Sequence, residues 1–250
     1  MEELQQRLYY FAKGEEYHIQ DFLGCHKTDE GFVFRVWAPH ARQVWAVGDF
    51  NDWQKTNPMV KDDYGIWSTT IGRVQSGQLY KFLVQQPSGK EVMKIDPVAL
   101  RYEARPGTAA VVTEMPAIKW HDGLWRGRNK RSNNFSRPMN IYEVHPASWK
   151  QHLDGSLYQF KDLTAELIPY VKEQGFNYIE FMPLTEHPLD ASWGYQVTGY
   201  FALAHSYGEM KDFQEFVDAC HQDNIGVLVD WVPGHFCINA DALAYYDGTP

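Results

Sequence analysis

The sequence predicts a multi-domain protein, in which an antiparallel β-sandwich is followed by parallel β/α units. Three observations lead to this fold class. Short strand-like segments, without helical periodicity of useful length between them, fill residues 31–114. Apolar strand segments alternate with helical patterns after Pro138. A polar, locally basic stretch at residues 116–138 separates the two rhythms and is interpreted as a connection without a binding role.

The strands of the first part are indicated by segments rich in β-branched and aromatic residues. Clusters of Gly, Pro, Asn and Asp separate these segments and are typical of turns. Short strands at this spacing favour two antiparallel sheets packed as a sandwich. The predicted strands are 32–37, 43–47, 66–71 and 79–84.

Three strands are predicted in the second part, with a helix between each pair. The last segment is almost continuously apolar, so we expect a strand buried on both faces, as in a parallel sheet covered by helices. Right-handed units of this kind build either a doubly wound sheet or a (β/α)₈ barrel. The three segments are 140–145, 177–182 and 225–230.

Apolar residues at helical spacing indicate the two helices. Gly175 is placed to cap the first helix, and Pro169 should kink or split it. In the second helix Asp212 is expected at the N-cap, with Glu215 three residues on as in a capping box. The apolar positions are Phe160, Leu163, Leu167 and Val171 in the first helix, and Phe213, Phe216, Val217 and Cys220 in the second.

The composition excludes several classes of protein. Hydrophobic residues make up 44% of the 250 residues and charged residues 22%, which predicts a packed globular chain. The net charge of −9 argues against nucleic acid or an anionic membrane as partner. The N-terminus lacks the basic-then-apolar order of a signal peptide, and no apolar stretch approaches a membrane span. Three cysteines are too few for a disulfide framework or a zinc site, so a cytoplasmic location is expected.

Polar residues follow the carboxyl ends of the predicted parallel strands, where sites form on such folds. Tyr195 and Gln196 lie in the loop after the second strand, and the third strand ends in Asp230 with His235 five residues on. We expect the carboxylate, the imidazole and the aromatic side chain to surround one cavity suited to a sugar ring and its hydroxyls. Taken singly, Asp230 is more typical of a residue that caps or braces a loop, and His235 of a hydrogen-bonded loop histidine. Neither a phosphate-binding Gly-rich loop nor a Gly-x-Ser-x-Gly elbow is present.

Several strings of this sequence resemble one family. Tyr142-Glu-Val-His145, Ser192-Trp-Gly-Tyr-Gln-Val-Thr-Gly-Tyr-Phe-Ala202 and Asp230-Trp-Val-Pro-Gly-His-Phe236 closely resemble bacterial 1,4-α-glucan (glycogen) branching enzymes of the α-amylase superfamily. Phe34-Arg-Val-Trp-Ala-Pro39 and Val47-Gly-Asp-Phe-Asn-Asp-Trp53 resemble the carbohydrate-binding module that precedes the barrel in that family. The likeness runs over nearly the whole chain in the family's order.

This resemblance implies a domain plan and an activity. Residues 1–115 would form the carbohydrate-binding β-sandwich, 116–138 a linker, and 139–250 the first part of a (β/α)₈ TIM barrel truncated after about three β/α units. The family cleaves α-1,4 glucans such as glycogen and transfers the piece to a 6-hydroxyl as an α-1,6 branch, by a retaining double displacement without a cofactor. The partner implied is therefore an α-1,4 glucan.

The resemblance also implies roles for single residues. Asp230 and His235 would contact the glucose unit at the cleavage point, Tyr195 would stack on the same ring, and Gln196 would join the same substrate-binding set. Trp53 either binds glucan on the sandwich or only packs. Calcium-binding amylases carry Asn directly before this His, whereas Gly234 stands here, so no metal site is expected.

The catalytic carboxyl groups are expected outside this sequence. By resemblance the nucleophile and the acid/base follow later barrel strands, beyond residue 250, so the chain alone is predicted to be inactive. We expect an open three-stranded sheet to expose apolar faces and an unpaired edge. Two alternatives stay open, a glucan-binding module without catalysis and a related debranching or trehalose-releasing hydrolase.

Overall fold

The computed structural model describes residues 2–131, 136–235 and 237–250, and these divide into two compact units. The first unit comprises Met1–Glu114, Gln196–Ala202 and His235–Pro250, and the second comprises Met115–Tyr195 and Leu203–Gly234. The predicted connection at 116–138 and the motif that ends at Phe236 each include residues outside the described ranges, namely 132–135 and 236.

The first unit contains the predicted antiparallel β-sandwich, which the structure confirms. Helix α1 precedes two antiparallel sheets, one in the order β1-β2-β5-β4 and the other β3-β6-β7, with β8 also paired to β6. The four predicted strands correspond to β2, β3, β5 and β6. The elements are α1 (Glu2–Ala12), β1 (Gly24–Thr28), β2 (Gly31–Trp37), β3 (Gln43–Gly48), β4 (Val60–Lys61), β5 (Ile66–Ile71), β6 (Leu79–Gln85), β7 (Glu91–Lys94) and β8 (Ala110–Val111).

One aromatic core joins the two sheets of the sandwich. Phe34 on β2 packs edge-to-face on Tyr80 of β6 with ring centroids 5.0 Å apart, and Tyr80 packs on Phe82 at 6.0 Å. All three side chains are fully buried. Burial of each such side chain contributes about 1.5–3 kcal/mol to folding, so the inward positions of β2 and β6 hold the sheets together.

The second unit contains the predicted parallel strands. They form a sheet in the order β13-β10-β9, in which Tyr178 aligns with Ile141 and Gly226 at the amino end of the sheet. Helices α4 and α5 lie between the strands in sequence, which confirms the βαβαβ order. The elements that follow residue 114 are α2 (Gly123–Arg131), β9 (Ile141–Val144), α3 (Pro146–Trp149), α4 (Phe160–Glu173), β10 (Tyr178–Phe181), β11 (Thr185–Glu186), β12 (Gly199–Leu203), α5 (Met210–Gln222) and β13 (Gly226–Val229).

Pro169 does not split α4, so this part of the prediction is wrong. The helix is continuous across Pro169 from Phe160 to Glu173. Ala165, whose carbonyl loses its partner because proline has no N–H, is exposed to water. Buried side chains on both sides of the proline, Leu167 and Val171 among them, hold the helix to the core. The predicted cap is confirmed, since Gly175 has φ 79° just after α4.

The predicted start of α5 is wrong by three residues. Glu209 is the N-cap, and Asp212 is the third residue of the helix, where its N–H donates to the carbonyl of Glu209 at 3.0 Å. The buried Asp212 carboxylate pairs with Lys161 at 3.3 Å. Acidic residues are favoured both at the N-cap and in the first turn, so sequence does not separate the two positions.

Strand β13 is less buried than its apolar sequence predicted. Val227 and Leu228 are half-buried and Val229 is 46% exposed. The reason is that β13 stands at an edge of the described sheet, with β10 as its neighbour. The expectation of an exposed apolar edge is thereby confirmed.

The segment interpreted as a connection contains a helix that the sequence did not predict. Trp125 on α2 stacks on His221 of α5 with ring centroids 3.5 Å apart, and Asp122 accepts a hydrogen bond from His221 Nδ1 at 2.8 Å. His121 and Asp218 form a second pair at 2.9 Å. Helix α2 has no buried residue, so its position depends on these contacts with residues about a hundred positions away.

The chain carries three unpaired thiols, at Cys25, Cys220 and Cys237. Within the described ranges, no helix has the length and apolar character needed to cross a membrane.

Candidate functional site

Asp230 and Tyr195 meet at the carboxyl end of the parallel sheet. The N–H of Asp230 donates to the carbonyl of Phe181 at 2.8 Å, so the pairing of β13 with β10 continues up to the carboxylate. The hydroxyl of Tyr195 donates to Asp230 Oδ2 at 2.6 Å. Two of the predicted site residues, 35 positions apart in sequence, are thus brought together in the second unit.

Gly194 allows the loop before Tyr195 to return to the end of β10. A Cβ atom at this position would lie 2.5 Å from the carbonyl oxygen of Pro183, and φ is 85°. The turn is closed by the N–H of Tyr195, which donates to the carbonyl of Ser192 at 3.0 Å. A side chain at position 194 would displace the loop and separate Tyr195 from Asp230.

The hydrogen bond to Asp230 raises the pKa of Tyr195 to about 12, and partial burial and the negative charges of Glu143 and Glu180 act in the same direction. The phenol is therefore neutral over the physiological range and donates to the carboxylate. Asp230 is half-buried, and its other oxygen, Oδ1, accepts no hydrogen bond within the described part of the chain. That oxygen is available to a hydroxyl group of a ligand.

A second group of aromatic and imidazole side chains lies at the same end of the sheet. His145 follows β9, with Nδ1 3.1 Å from Ser148 Oγ and Nε2 3.4 Å from the hydroxyl of Tyr207. Its ring centroid is 6.3 Å from that of Trp193. Burial lowers the pKa of His145, and the charge of His187 lowers it further. The sequence predicted His145 at the end of the first parallel strand but assigned it no role.

Three exposed aromatic rings lie in the loops that follow strands β10 and β13 of the second unit. Trp193 is 58% exposed, Trp231 64% and Tyr195 37%. Aromatic side chains of this size are normally well covered. Rings left open to water next to a carboxylate suit a ligand with one apolar face and several hydroxyls.

The two other predicted residues of this set lie in the first unit. Gln196 is half-buried and His235 is exposed. The hydroxyl of Tyr200 donates to the carbonyl of His235 at 2.8 Å, which holds the main chain at this point. That these two residues share one cavity with Tyr195 and Asp230 stays a prediction.

Trp53 ends the tight turn after β3. It has φ 60°, and its ring N–H donates to Asp49 Oδ1 at 3.1 Å. Asn51 ties the same turn together by donating to the carbonyl of Ala46 at 3.0 Å, while Phe50 is buried in the core. The indole is half-buried, so its N–H is used within the turn and part of its face is open. Binding of glucan by Trp53 stays a prediction.

No three His, Cys, Asp or Glu side chains in the described ranges are grouped closely enough to hold a metal ion. A cavity of about 110 Å³ does lie in the second unit, at the amino ends of β10 and β13. Trp125, Arg128, Asn177 and Asn224 are among the residues that line it. This is the end of the sheet opposite to Asp230, and none of the predicted site residues is included.

Family models match both parts of the chain. Residues 22–99 match carbohydrate-binding module 48 (isoamylase N-terminal domain), and residues 140–248 match the alpha amylase catalytic domain. The fold resembles the crystal structure of a putative alpha amylase from Salmonella typhimurium, with a TM-score of 0.70 and 23% identity, over 88% of this chain and 34% of that one.

Two curated relatives match nearly the whole chain. The chain is 63% identical over 248 residues to "1,4-alpha-glucan branching enzyme GlgB" of Lactobacillus acidophilus, and 54% identical over 249 residues to the protein of the same name from Lactiplantibacillus plantarum. Each match covers 99% of this chain and 39% of the relative, so the chain spans about two fifths of their length. Nearly the whole chain is therefore similar to the N-terminal portion of bacterial proteins named 1,4-alpha-glucan branching enzymes, and its two parts match a carbohydrate-binding module and the alpha amylase catalytic domain.

Proposed function

We propose that this chain is the N-terminal portion of an enzyme that cleaves α-1,4 glucans and transfers the cleaved piece to a 6-hydroxyl, forming α-1,6 branches. One observation carries the activity, the 63% identity over 248 residues to a protein named as a branching enzyme. The geometry of the site agrees with a sugar ligand.

Tyr195 and Asp230, together with Gln196 and His235, bind the glucose unit at the cleavage point. The exposed Tyr195 ring offers an apolar face, and Asp230 Oδ1 accepts a hydrogen bond from a sugar hydroxyl. Because Tyr195 is neutral and donates to Oδ2, the carboxylate keeps one fixed orientation. A fixed acceptor beside an aromatic face selects for ring orientation as well as for hydroxyl position.

The bond-breaking steps need two further carboxyl groups about 5–5.5 Å apart. One attacks the anomeric carbon and forms a glycosyl-enzyme while the other protonates the departing 4-oxygen. The second group then removes the proton from the acceptor 6-hydroxyl, whose oxygen displaces the enzyme carboxylate with net retention. By family resemblance both groups lie beyond residue 250, so the 250-residue chain recognises glucan without branching it.

The same proposal divides the chain into a carbohydrate-binding sandwich at 1–115, a linker at 116–138 and the first part of the catalytic barrel at 139–250. The ranges of the two family models support this plan. The cytoplasm is the proposed location, since the three thiols of the chain are unpaired and a reducing compartment keeps them so.

A second candidate is a protein that only binds glucan through its sandwich. The match of residues 22–99 to a carbohydrate-binding module favours it. Trp53, with part of its indole face open at the end of a β-turn, is then the residue expected to carry binding.

Affinity electrophoresis through gels containing glycogen or amylose tests where glucan binds. We expect wild-type chain to be retarded and Tyr195→Ala to lose most of this retardation. Tyr17→Ala removes a tyrosine that is 81% exposed elsewhere and is the matched control, with no change expected. Loss on Trp53→Ala with full retention on Tyr195→Ala would favour the second candidate, and no retardation of wild type would overturn both.

The activity is tested separately. The iodine stain of amylose should not shift with the 250-residue chain, and measurable branching would overturn the placement of the catalytic groups. Sequencing the DNA after codon 250 should show a barrel continuation with Asp and Glu at later strand ends. Its absence would count against the branching activity.

A further inference from the structure

The last residues of the chain, 237–250, pack against the sandwich. Ala242 is part of the core between the two sheets, and the hydroxyl of Tyr246 donates to the carbonyl of Ile95 at 2.8 Å. The N–H of Ile95 donates in turn to the carbonyl of Asp241 at 2.8 Å. Residues 237–250, here called the return segment, therefore fold with the first unit although they follow the third parallel strand in sequence.

Lys94, the last residue of β7, is the centre of this contact. Its side chain is among the fully buried ones of the molecule, at 2% exposure. Nζ donates to the carbonyls of Ala242 and Ala244 at 3.0 and 2.9 Å, and it lies 5.7 Å from the centre of the Tyr246 ring. Burial lowers the pKa of Lys94. In the described ranges no carboxylate lies within ion-pair distance of it.

A buried ammonium without an ion pair needs hydrogen bonds in place of water. The acceptors of both bonds are main-chain carbonyls of the return segment. Their positions are therefore set by the path of the chain. A displacement of the segment would move both carbonyls away from Lys94 Nζ. Lys94 therefore specifies where the return segment lies.

A second contact holds the far end of the return segment. The carboxylate of Asp247 accepts hydrogen bonds from the N–H of His40 at 2.9 Å and from the hydroxyl of Thr249 at 2.7 Å. Its side chain is buried, and Oδ2 also lies 3.1 Å from Nδ1 of His40. His40 belongs to the turn before β3, so the segment is fixed to two separate parts of the sandwich.

We propose that Lys94 is a positioning residue for His235. His235 is the residue two positions before the return segment, and its own carbonyl is held by Tyr200 at 2.8 Å. Anchoring of residues 242–250 by Lys94 and His40 limits the positions open to His235. The sandwich then contributes to substrate recognition through the chain that it holds, in addition to any glucan bound on its own surface. The glucan contact of His235 rests on the proposed function, whereas the anchoring does not.

Hydrogen exchange of the intact 250-residue chain, measured without glucan, tests the anchoring. In Lys94→Met the return-segment amides should exchange at least about tenfold faster, the effect of losing one or two hydrogen bonds to a charged donor. Strands β2 and β3 should keep their protection. Lys90→Met, at an exposed lysine just before the same strand, is the control and should match wild type. Unchanged exchange of the return segment in Lys94→Met would overturn the proposal.

The positioning role has its own readout. The ring-proton NMR signal of His235, assigned with His235→Gln, should shift or broaden in Lys94→Met and stay unchanged in Lys90→Met. A loosened return segment with an unaltered His235 signal would overturn the positioning role. If Lys94→Met does not fold, His40→Gln at an exposed ring tests the same idea, with faster exchange expected at residues 245–250. Failure of wild type to bind glucan would refute the proposed function while leaving these measurements valid.

Discussion

The two units differ in how completely the side chains of their described strands are buried. In the sandwich, inward residues of both sheets such as Phe34, Val44 and Phe82 are fully buried. In the parallel sheet only the central strand reaches this state, at Ile179 and Phe181, whereas Ile141 and Val229 on the outer strands are 38% and 46% exposed. Antiparallel strands of a sandwich can be joined by short turns, so the strands that bury one another are close in sequence. A parallel strand is joined to its neighbour by a long crossover, so the strands that bury it are distant in sequence.

The same contrast separates structural aromatics from candidate ligand aromatics. The rings of the sandwich core pack on one another, as Tyr80 does on Phe34 and Phe82. At the carboxyl end of the parallel sheet, Trp193, Trp231 and Tyr195 face water instead. The first set carries stability, and the second is free to carry recognition.

The largest expected effect tests whether the two units are independently stable. Phe160→Ala removes a fully buried ring that packs on Phe181, Phe213 and Phe216 at 5.7, 4.9 and 5.5 Å. The cavity should cost the second unit about 3–5 kcal/mol, which approaches the total stability of a small domain. Hydrogen exchange should show loss of protection in β9, β10 and β13, with the sandwich strands unchanged.

Glu173→Ala, at an exposed position of the same helix, serves as the control for Phe160→Ala and should behave as wild type. Equal loss of protection in the sandwich strands would show that the two units unfold as one cooperative block.

The second effect concerns the sandwich alone. Burial raises the pKa of Asp96 to about 6, against 3.8 for the free side chain, despite hydrogen bonds from Tyr80 and Val98. The folded-state pKa is the higher one, so the fold is more stable when Asp96 is protonated. This contribution to stability is fully present below pH 3.8 and is lost as the pH rises through 6. The shift corresponds to about 3 kcal/mol. Urea midpoints of the sandwich transition between pH 4 and 8 should fall with pH in wild type.

Asp96→Asn should remove this part of the pH dependence, since an amide does not titrate and can still accept the hydrogen bond from Tyr80. The difference between the two proteins isolates Asp96 from other titrating groups. Parallel midpoint curves for wild type and Asp96→Asn would contradict the prediction. If the urea midpoint of the second unit differed between wild type and Asp96→Asn, the effect of Asp96 would not be confined to the sandwich.

A smaller gain is expected at Pro169. Alanine restores the hydrogen bond to the carbonyl of Ala165 within α4, and in a free helix replacing proline stabilises by up to about 3 kcal/mol. Against this, the unfolded chain gains conformational entropy, which costs about 1 kcal/mol of stability. Pro169→Ala should therefore stabilise the second unit by about 1–2 kcal/mol in urea titrations. Pro87→Ala in a sandwich turn is the comparison variant and should give no gain. A loss of stability at position 169 would mean that α4 is shaped by its proline.

The smallest effect is local to the site. Asp230→Asn removes the negative charge that accepts from Tyr195, so the pKa of the tyrosine should fall from about 12 toward its ordinary value near 10. Carbon-13 NMR of the tyrosine Cζ signals up to pH 11 should show Tyr195 neutral in wild type and substantially ionised in the variant. Unfolding stability should change by about 1 kcal/mol or less. An unchanged Tyr195 titration would show that the hydrogen bond does not govern this pKa.

Sequence patterns were sufficient for the order of the elements and insufficient for their ends and exposure. The period-two segments of β2, β3, β5 and β6 and the apolar stripe of α4 record local preferences, which any chain segment carries by itself. The N-cap of α5 was misplaced because an aspartate such as Asp212 is favoured both at the N-cap and in the first turn. Helix α2 was missed because its anchors, His221 and Asp218, are distant in sequence.

The site was foreseen in part for the same reason. Residues at strand ends are predictable because parallel strands place their carboxyl ends on one edge, and Asp230 follows from that rule. The hydrogen bond of Tyr195 to Asp230 required the loop geometry set by Gly194, and the approach of the His145 imidazole to Trp193 required two loops to converge.

By itself the sequence determined the fold class and the order of the elements, because periodicity and motifs are properties of the chain alone. Only the tertiary structure decided that β13 is half-exposed, that Tyr195 donates to Asp230, and that Lys94 is buried against the return segment. Exposure, pKa and hydrogen-bond partners depend on which distant atoms surround a group, and no local pattern carries that information.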